Sequence, residues 1–398
     1  MQPIPTLRPD FRDLVEDQTS PVAKMVLALA RRGEATATEL AGDVAMARSS
    51  VSALLTDLRQ KNVVLETDRR QSGVGRPTTM HSLHPELGTA AGVLLGLGEI
   101  RLSLCDVTHT VLTDETFLID AAYTPEDALT LVHGALIRHC ASLGKTVSSL
   151  IGVGLAVSAP VTKEGVVLFS SSLPGWSGVE IGSAFARRLG CPVHVENESH
   201  CGALAEMIWG AAKGEPDFAM FKFDLGVGGA VVIDGVLRRG ANGCGGEFGH
   251  LTLDPKGPLC GCGNRGCLST YTSGSHILLA VGKKSGRPLA LADFVKEARE
   301  GNRSYRRLLE DAAEMAGHGV AMIGTALNPP LFLITGGLAQ AGPLFLDPLR
   351  ESYVKNTFCK QSALLPEQRT RIEPGFFLGN DNVLGAAALV LRQLSRTA

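Results

Sequence analysis

The sequence predicts an α/β protein in three parts: a small helical unit with a β wing, then two α/β lobes around a cleft. Three observations point there. Capped helical stretches fill residues 20–61 and give way to two short strands around a basic loop. From Gly88 the texture changes to strands, glycine turns and helices that recur to the C-terminus. Elements of that kind bury their apolar faces in layers, and clefts between lobes are common ligand sites.

Residues 1–19 hold three prolines and mixed charge without a period, and are expected to form a mobile arm. Ser20-Pro21 opens a helix, with Ser as N-cap and Pro at the first helical position. Val22, Met25, Val26 and Leu29 share one face, and Gly33 ends it. Thr36-Ala-Thr-Glu39 fits a capping box, followed by the apolar face of Leu40 and Val44. A third helix, about Arg48 to Lys61, turns Val51, Leu54, Leu55 and Leu58 inward. Arg48, Ser49 and Ser52 face outward near its start, with Ser50 beside them. Strands at Val63–Leu65 and Met80–Leu83 flank a loop carrying Arg69, Arg70 and Arg76.

Helix, helix-turn-helix and β wing is the winged-helix plan, in which the third helix fits the DNA major groove and the wing lies over phosphate or minor groove. Over 48–76, six Lys and Arg stand against three acids, which favours double-stranded DNA as partner. A helical protein-binding module is the rival reading. Arg48, Ser49, Ser50, Ser52 and Arg76 are the candidate DNA contacts. Repressors of this kind gain area and register as dimers on pseudo-palindromic operators, so a homodimer or higher homo-oligomer is expected.

In the remainder, Gly92–Leu95 with Ile100–Cys105 reads as a hairpin, 111–120 as a further strand and Pro125–Leu143 as an amphipathic helix. Leu150–Val157 is a buried strand, Val179–Leu189 a helix, Val193–Val195 a strand and Ser199–Trp209 a helix. Met220–Phe223 with Ala230–Ile233 forms a second glycine-linked hairpin. A helix from Tyr305 to Leu327 precedes the glycine turn 334–342, and 381–395 is a last helix. The expected division is an arm (1–19), a DNA-binding unit (20–85), a first lobe (86–198) rejoined by the C-terminal helix (381–396), and a second lobe (199–380).

The 398 residues are 44% hydrophobic and 20% charged with net charge −2, so bulk charge does not mark a polyanion binder. No apolar run reaches the ~18 residues of a membrane span. The N-terminus lacks the basic and apolar regions of a secretory signal, and nine Cys in a chain this long are no disulfide framework, so a cytoplasmic protein is expected.

Segment 247–267 reads EFGHLTLDPKGPLCGCGNRGC. Cys260, Cys262 and Cys267, with His250 upstream, make a complete tetrahedral ligand set for a structural Zn²⁺. Glycines 261, 263 and 266 let the backbone wrap an ion. The alternative is three buried free thiols in a glycine-rich loop.

G-x-E-F-G-H followed by C-x-C-G-x-x-G-C resembles the signature of the ROK family (repressors, open reading frames, sugar kinases). SSLPGW (171–176) and VENESHCGALAE (195–206) extend the resemblance. A winged helix ahead of it resembles the family's transcriptional repressors. The resemblance implies a two-lobed actin-like, ribonuclease-H-like body. It also implies that Asn197, Glu247 and His250 hold sugar hydroxyls, with His250 on the metal as well; Glu198 can accept from a hydroxyl beside them.

Against the family's kinases the chain departs at three elements. Their first phosphate loop, Asp-x-Gly-Gly-Thr, is met by Leu94-Leu95-Gly96-Leu97-Gly98. Their second, Gly-Thr-Gly-x-Gly, is met by Asp224-Leu225-Gly226-Val227-Gly228. Their Asn-Asp catalytic pair is Asn197-Glu198. Phosphoryl transfer depends on positioning and neutralising phosphate charge, so Leu94, Gly98, Asp224 and Leu225 oppose ATP binding. The extra methylene of Glu198 displaces the base by about 1 Å. Ser269 stands where the family often has Glu, which puts ordinary glucose in doubt as ligand. The expectation is a DNA-binding regulator, a repressor by resemblance, whose non-catalytic kinase body senses a sugar-like effector. An active sugar kinase with an appended DNA-binding unit is the alternative.

Overall fold

The computed structural model describes residues 9–70, 78–169, 173–285, 289–360, 363–377 and 381–393. It begins with a helix where an arm was expected. Asp10 caps α1 (Phe11–Val15) by accepting from the Arg12 N–H at 2.9 Å. Phe11 and Val15, one turn apart, are buried in the core of the N-terminal unit. That correction covers 11–15: two apolar residues at helical spacing suffice for one turn when a core receives them, and the prolines upstream obscure the signal. Residues 1–8 lie outside the described residues.

The rest of the N-terminal unit comprises α2 (Pro21–Arg32), β1 (Glu34–Thr36), α3 (Ala37–Val44), α4 (Arg48–Gln60), β2 (Val64–Arg70) and β3 (Thr78–Leu83). Ser20 accepts from the Ala23 N–H to start α2, and Gly33, at φ +75°, closes it. Thr36 and Glu39 form the expected capping box of α3. Ala47 gives α4 no side-chain cap. The sheet order is β1–β3–β2, all antiparallel. β1 was not foreseen, because three residues between two helices carry no period.

The first lobe contains β4 (Thr89–Gly96), β5 (Glu99–Asp106), β6 (Val111–Leu118), α5 (Pro125–Ser142), β7 (Gly152–Val157), α6 (Ile181–Leu189) and β8 (Val193–Asn197). The second begins with α7 (Glu198–Ile208), β9 (Phe218–Phe223), β10 (Val227–Ile233) and β11 (Val236–Leu237). It continues with α8 (Ser269–Thr272), α9 (Gly274–Ser285), α10 (Leu291–Arg299), α11 (Arg303–Leu327), β12 (Leu331–Thr335), α12 (Pro343–Asn356) and β13 (Arg371–Pro374). The sheets run β6–β5–β4–β7–β8 and β11–β10–β9–β12–β13. In each, a three-stranded antiparallel meander pairs through its first strand with two parallel strands. The two lobes therefore repeat one topology, the plan implied for the body.

The last helix, α13 (Asp381–Gln393), packs back on the first lobe. Glycines allow the contact: a Cβ on Gly92 or Gly154 would meet the Val383 or Ala386 carbonyl oxygen at 2.0 or 1.8 Å. Gly385 likewise lies against the Cys201 backbone of α7. At its far end, Val390 and Leu391 enter the same core as Met25, Val26 and Val51 of the N-terminal unit. Among the described residues, no helix is long and apolar enough to cross a membrane.

Candidate functional site

β8 ends at Asn197 and turns directly into α7. Asn197 Oδ1 accepts from the Ser199 and His200 N–H groups at 2.7 and 3.4 Å, and its Nδ2 donates to the Ala159 carbonyl at 3.2 Å. The amide thus caps the helix and ties the turn to the first lobe, leaving one N–H for a ligand. Glu198 Oε2 accepts from Lys222 Nζ at 2.9 Å and from Asn382 Nδ2 at 3.2 Å. These donors come from β9 in the second lobe and from the start of α13. The Asn382 side-chain oxygen is buried without a partner.

Glu247 precedes a short 3-10 turn, Phe248–His250. Burial pushes its carboxyl up; the His200 charge opposes this and the Glu198 charge reinforces it. Around His200 lies a buried network: its Nδ1 contacts Glu196 Oε1 at 2.9 Å and its Nε2 contacts the Gly245 carbonyl at 2.7 Å. Arg239 ion-pairs with the other Glu196 oxygen. Burial alone would raise the Glu196 carboxyl, but the His200 bond, the His200 and Arg239 charges and the Asn197 N–H hold it low. This network fixes the Gly245–Glu247 loop against α7.

His250, Cys260, Cys262 and Cys267 converge, their ligand atoms all within 4.8 Å of one another. His250 Nδ1 is 3.6 Å from Cys260 Sγ, and Cys262 Sγ is 3.7 Å from Cys267 Sγ. A tetrahedron with metal–sulfur bonds of about 2.3 Å has edges near 3.8 Å, so the four residues fit a metal ion. The loop closes around them through Gly266, at φ +61°, where a Cβ would strike the Asp254 carbonyl oxygen at 1.7 Å. Ser269 Oγ lies 3.6 Å from Cys260 Sγ, so its hydroxyl serves the thiol cluster.

The positions that the resemblance aligns with phosphate loops are filled from within. Leu94 is buried in an apolar cluster with Ala156, Cys201, Val383 and Ala386. Asp224 accepts from the Leu225 N–H at 2.8 Å through Oδ1 and from the Gly337 N–H at 3.1 Å through Oδ2. Its carboxylate thereby occupies a backbone donor of the glycine turn after β12. Gly98 sits at φ +76° in the turn between β4 and β5.

On the N-terminal unit, Arg48, Ser49, Ser50 and Ser52 are all exposed at the start of α4, while Val51 and Leu55 face the core. Ser52 Oγ donates to the Arg48 carbonyl at 3.0 Å, within the helix. Arg76 lies outside the described residues. Sequence reasoning missed Lys222, Asn382 and the Glu196–His200–Arg239 network. Lys222 was the most legible, as the one charged residue in the apolar run FAMFKF.

A ROK family model matches residues 90–393. The chain is 28% identical over 372 residues to the xylose repressor of Caldicellulosiruptor bescii, covering 90% of this chain and 92% of that protein. It is 30% identical over 292 residues to the glucokinase of Streptomyces coelicolor, covering 67% of this chain and 87% of that one. In fold it resembles a crystal structure described as a ROK family transcriptional regulator, homolog of E. coli MLC protein. That match has a TM-score of 0.72 at 20% identity and covers 94% of this chain and 97% of that one.

Proposed function

The chain belongs to the ROK family, and we propose that it is a DNA-binding transcriptional repressor whose kinase-like body senses a sugar and no longer catalyses. In this reading the N-terminal unit is a winged helix that presents α4 to operator DNA. The similarity to xylose repressors along most of both chains supports it. A pentose is thus a fitting first effector to try.

One observation carries the reading: α13 holds Asn382, bonded to Glu198, in its first turn, and Val390 and Leu391, in the core of the N-terminal unit, in its last. A thirteen-residue helix spans about 20 Å, so one rigid element joins the effector residues to the DNA-binding unit. α7 runs alongside it. Asn197 and Glu198 stand at its start; Trp209 at its end packs edge-to-face with His109, ring centres 4.6 Å apart, and His109 Nε2 contacts the Ala30 carbonyl of α2 at 2.8 Å. Effector and DNA would each favour one arrangement of these helices, so each would weaken or strengthen the other's binding.

Asn197, Glu198, Glu247 and His250 would bind effector hydroxyls, since a buried polyol needs this density of acceptors. Zn²⁺ suits the Cys₃His set, where it would act as a structural ion holding His250 and its loop in place. Against catalysis stand Leu94 in an apolar cluster, Asp224 on a glycine-turn N–H, and Glu198 already holding two donors. The similarity to a glucokinase keeps an active kinase as the second reading, with Glu198 as its base. ATP consumption with a sugar panel distinguishes the two: none for the sensor, turnover abolished by Glu198→Gln for the kinase. A homodimer formed through the body would give two α4 helices to an operator; light scattering tests this.

A further inference from the structure

The buried network around His200 closes on itself. His200, on α7, is fully buried. Its Nδ1 lies 2.9 Å from Glu196 Oε1 on β8, and its Nε2 lies 2.7 Å from the Gly245 carbonyl. Glu196 Oε2 pairs with the Arg239 guanidinium, and the Gly245 N–H donates to the Arg239 carbonyl at 2.9 Å. The circuit therefore runs from His200 through Glu196 and Arg239 to Gly245, and back to His200.

Both partners of the His200 ring are acceptors. A backbone carbonyl has no hydrogen to give. Glu196 is paired with Arg239 through one oxygen, and the other already accepts from the Asn197 N–H at 2.9 Å. A neutral imidazole carries one N–H, whereas these two bonds need one on each ring nitrogen, the pattern of an imidazolium. A ring lacking either hydrogen would leave a lone pair facing an acceptor in a buried contact.

We propose that His200 is a buried imidazolium that positions Glu247, fixing its loop through the Gly245 carbonyl two residues upstream. The charged groups around the ring are Glu196 on β8, Arg239 after β11 and Glu247 on the loop; Glu198, on the same helix, is paired with Lys222 of β9. With the imidazolium in place, His200 and Arg239 balance ionised Glu196 and Glu247. Without it, two buried carboxylates share one guanidinium, an uncompensated charge in the interior. Burial pushes the Glu247 carboxyl up, and the His200 charge opposes this. An ionised carboxylate is an acceptor only, so His200 would favour a ligand that donates hydroxyls and disfavour one that brings its own negative charge. That last step rests on the sensor reading; the two hydrogens on His200 do not.

The test is ring-nitrogen NMR of the full chain carrying isotopically labelled histidine, near neutral pH. The His200 signals are those absent from His200→Gln. The proposal expects a directly bonded hydrogen on each ring nitrogen in the wild type. In Glu196→Gln, which keeps the shape and removes the charge, the ring should drop to a single bonded hydrogen, a signature that a packing role would not move. Amide exchange across residues 243–247 should quicken about tenfold in His200→Phe, which keeps a ring and removes both donors, the change that one lost hydrogen bond of ordinary strength brings. A bare ring nitrogen in the wild type overturns the proposal, as does wild-type loop exchange in His200→Phe. Sugar binding enters neither readout, so failure of the sensor reading would leave both results standing.

Discussion

Lys222 on β9 places its ammonium 2.9 Å from Oε2 of Glu198, the first residue of α7. Both side chains are mostly buried, at 10% and 20% exposure. Removing one partner of such a pair leaves the other charge unpaired. Lys222→Met is expected to destabilise the fold by ~3 kcal/mol, and Glu198→Gln/Lys222→Met to recover much of that. Denaturant melts of the three proteins check this; no recovery in the double variant would assign the loss to packing.

The cysteine cluster gives a second expectation. Purified protein should contain about one zinc per chain, since four ligands at these distances close a tetrahedral site. Cys260→Ser should lower metal content and destabilise the second lobe, because metal binding and local folding are coupled. Elemental analysis with a thermal melt measures both; full zinc in a Cys260/Cys262 double serine variant rules out this site.

His109 makes stability pH-dependent at the junction between body and N-terminal unit. Burial drives its pKa down to about 4; the Ala30 bond and Asp106 oppose this, and Arg392 adds to it. The unfolded chain therefore takes up this proton near pH 6.5 while the folded protein resists until about pH 4. Stability attributable to this group is intact above pH 6.5 and falls progressively toward pH 4, by about 3 kcal/mol in total. His109→Gln should flatten that part of the profile. Parallel melting curves for the two proteins across this window would contradict the assignment.

α4 starts without a cap, and its first turn carries the candidate base-reading residues. Ala47 has φ −60° and ψ 141°, the extended geometry an N-cap needs. Ala47→Ser should therefore stabilise the N-terminal unit by ~1 kcal/mol. Arg48→Ala should leave stability nearly unchanged and cost ~1–3 kcal/mol in operator binding, with relaxed specificity at one base pair. Fluorescence anisotropy with operator and mutated duplexes reads the effect; wild-type affinity and specificity in Arg48→Ala would remove α4 as the reading helix.

Much of this architecture is written locally. Ser20, the Thr36–Glu39 box and Gly33 mark helix boundaries by short-range chemistry, and the Cys spacing brings four ligands together within one loop. What sequence reasoning missed depends on distant segments meeting. Asn382 lies 184 residues from Glu198, and Lys222 lies 24 away on a different element. The burial of Leu94 needs α7 and α13 in place. The Phe11 turn was hidden for a related reason: a single helical turn has no period, and the core that receives it comes from other elements.

The most direct test of the sensor reading is operator affinity measured in the presence and absence of each sugar in a panel, using a duplex recovered by selection from a random pool. We expect salt-dependent binding to that duplex. One sugar should shift its affinity by ~5–150-fold, the usual size of coupling between two sites, and Glu247→Ala should abolish the shift while preserving operator binding. Tight operator binding that no sugar alters, or an identical shift in wild type and Glu247→Ala, would contradict the account.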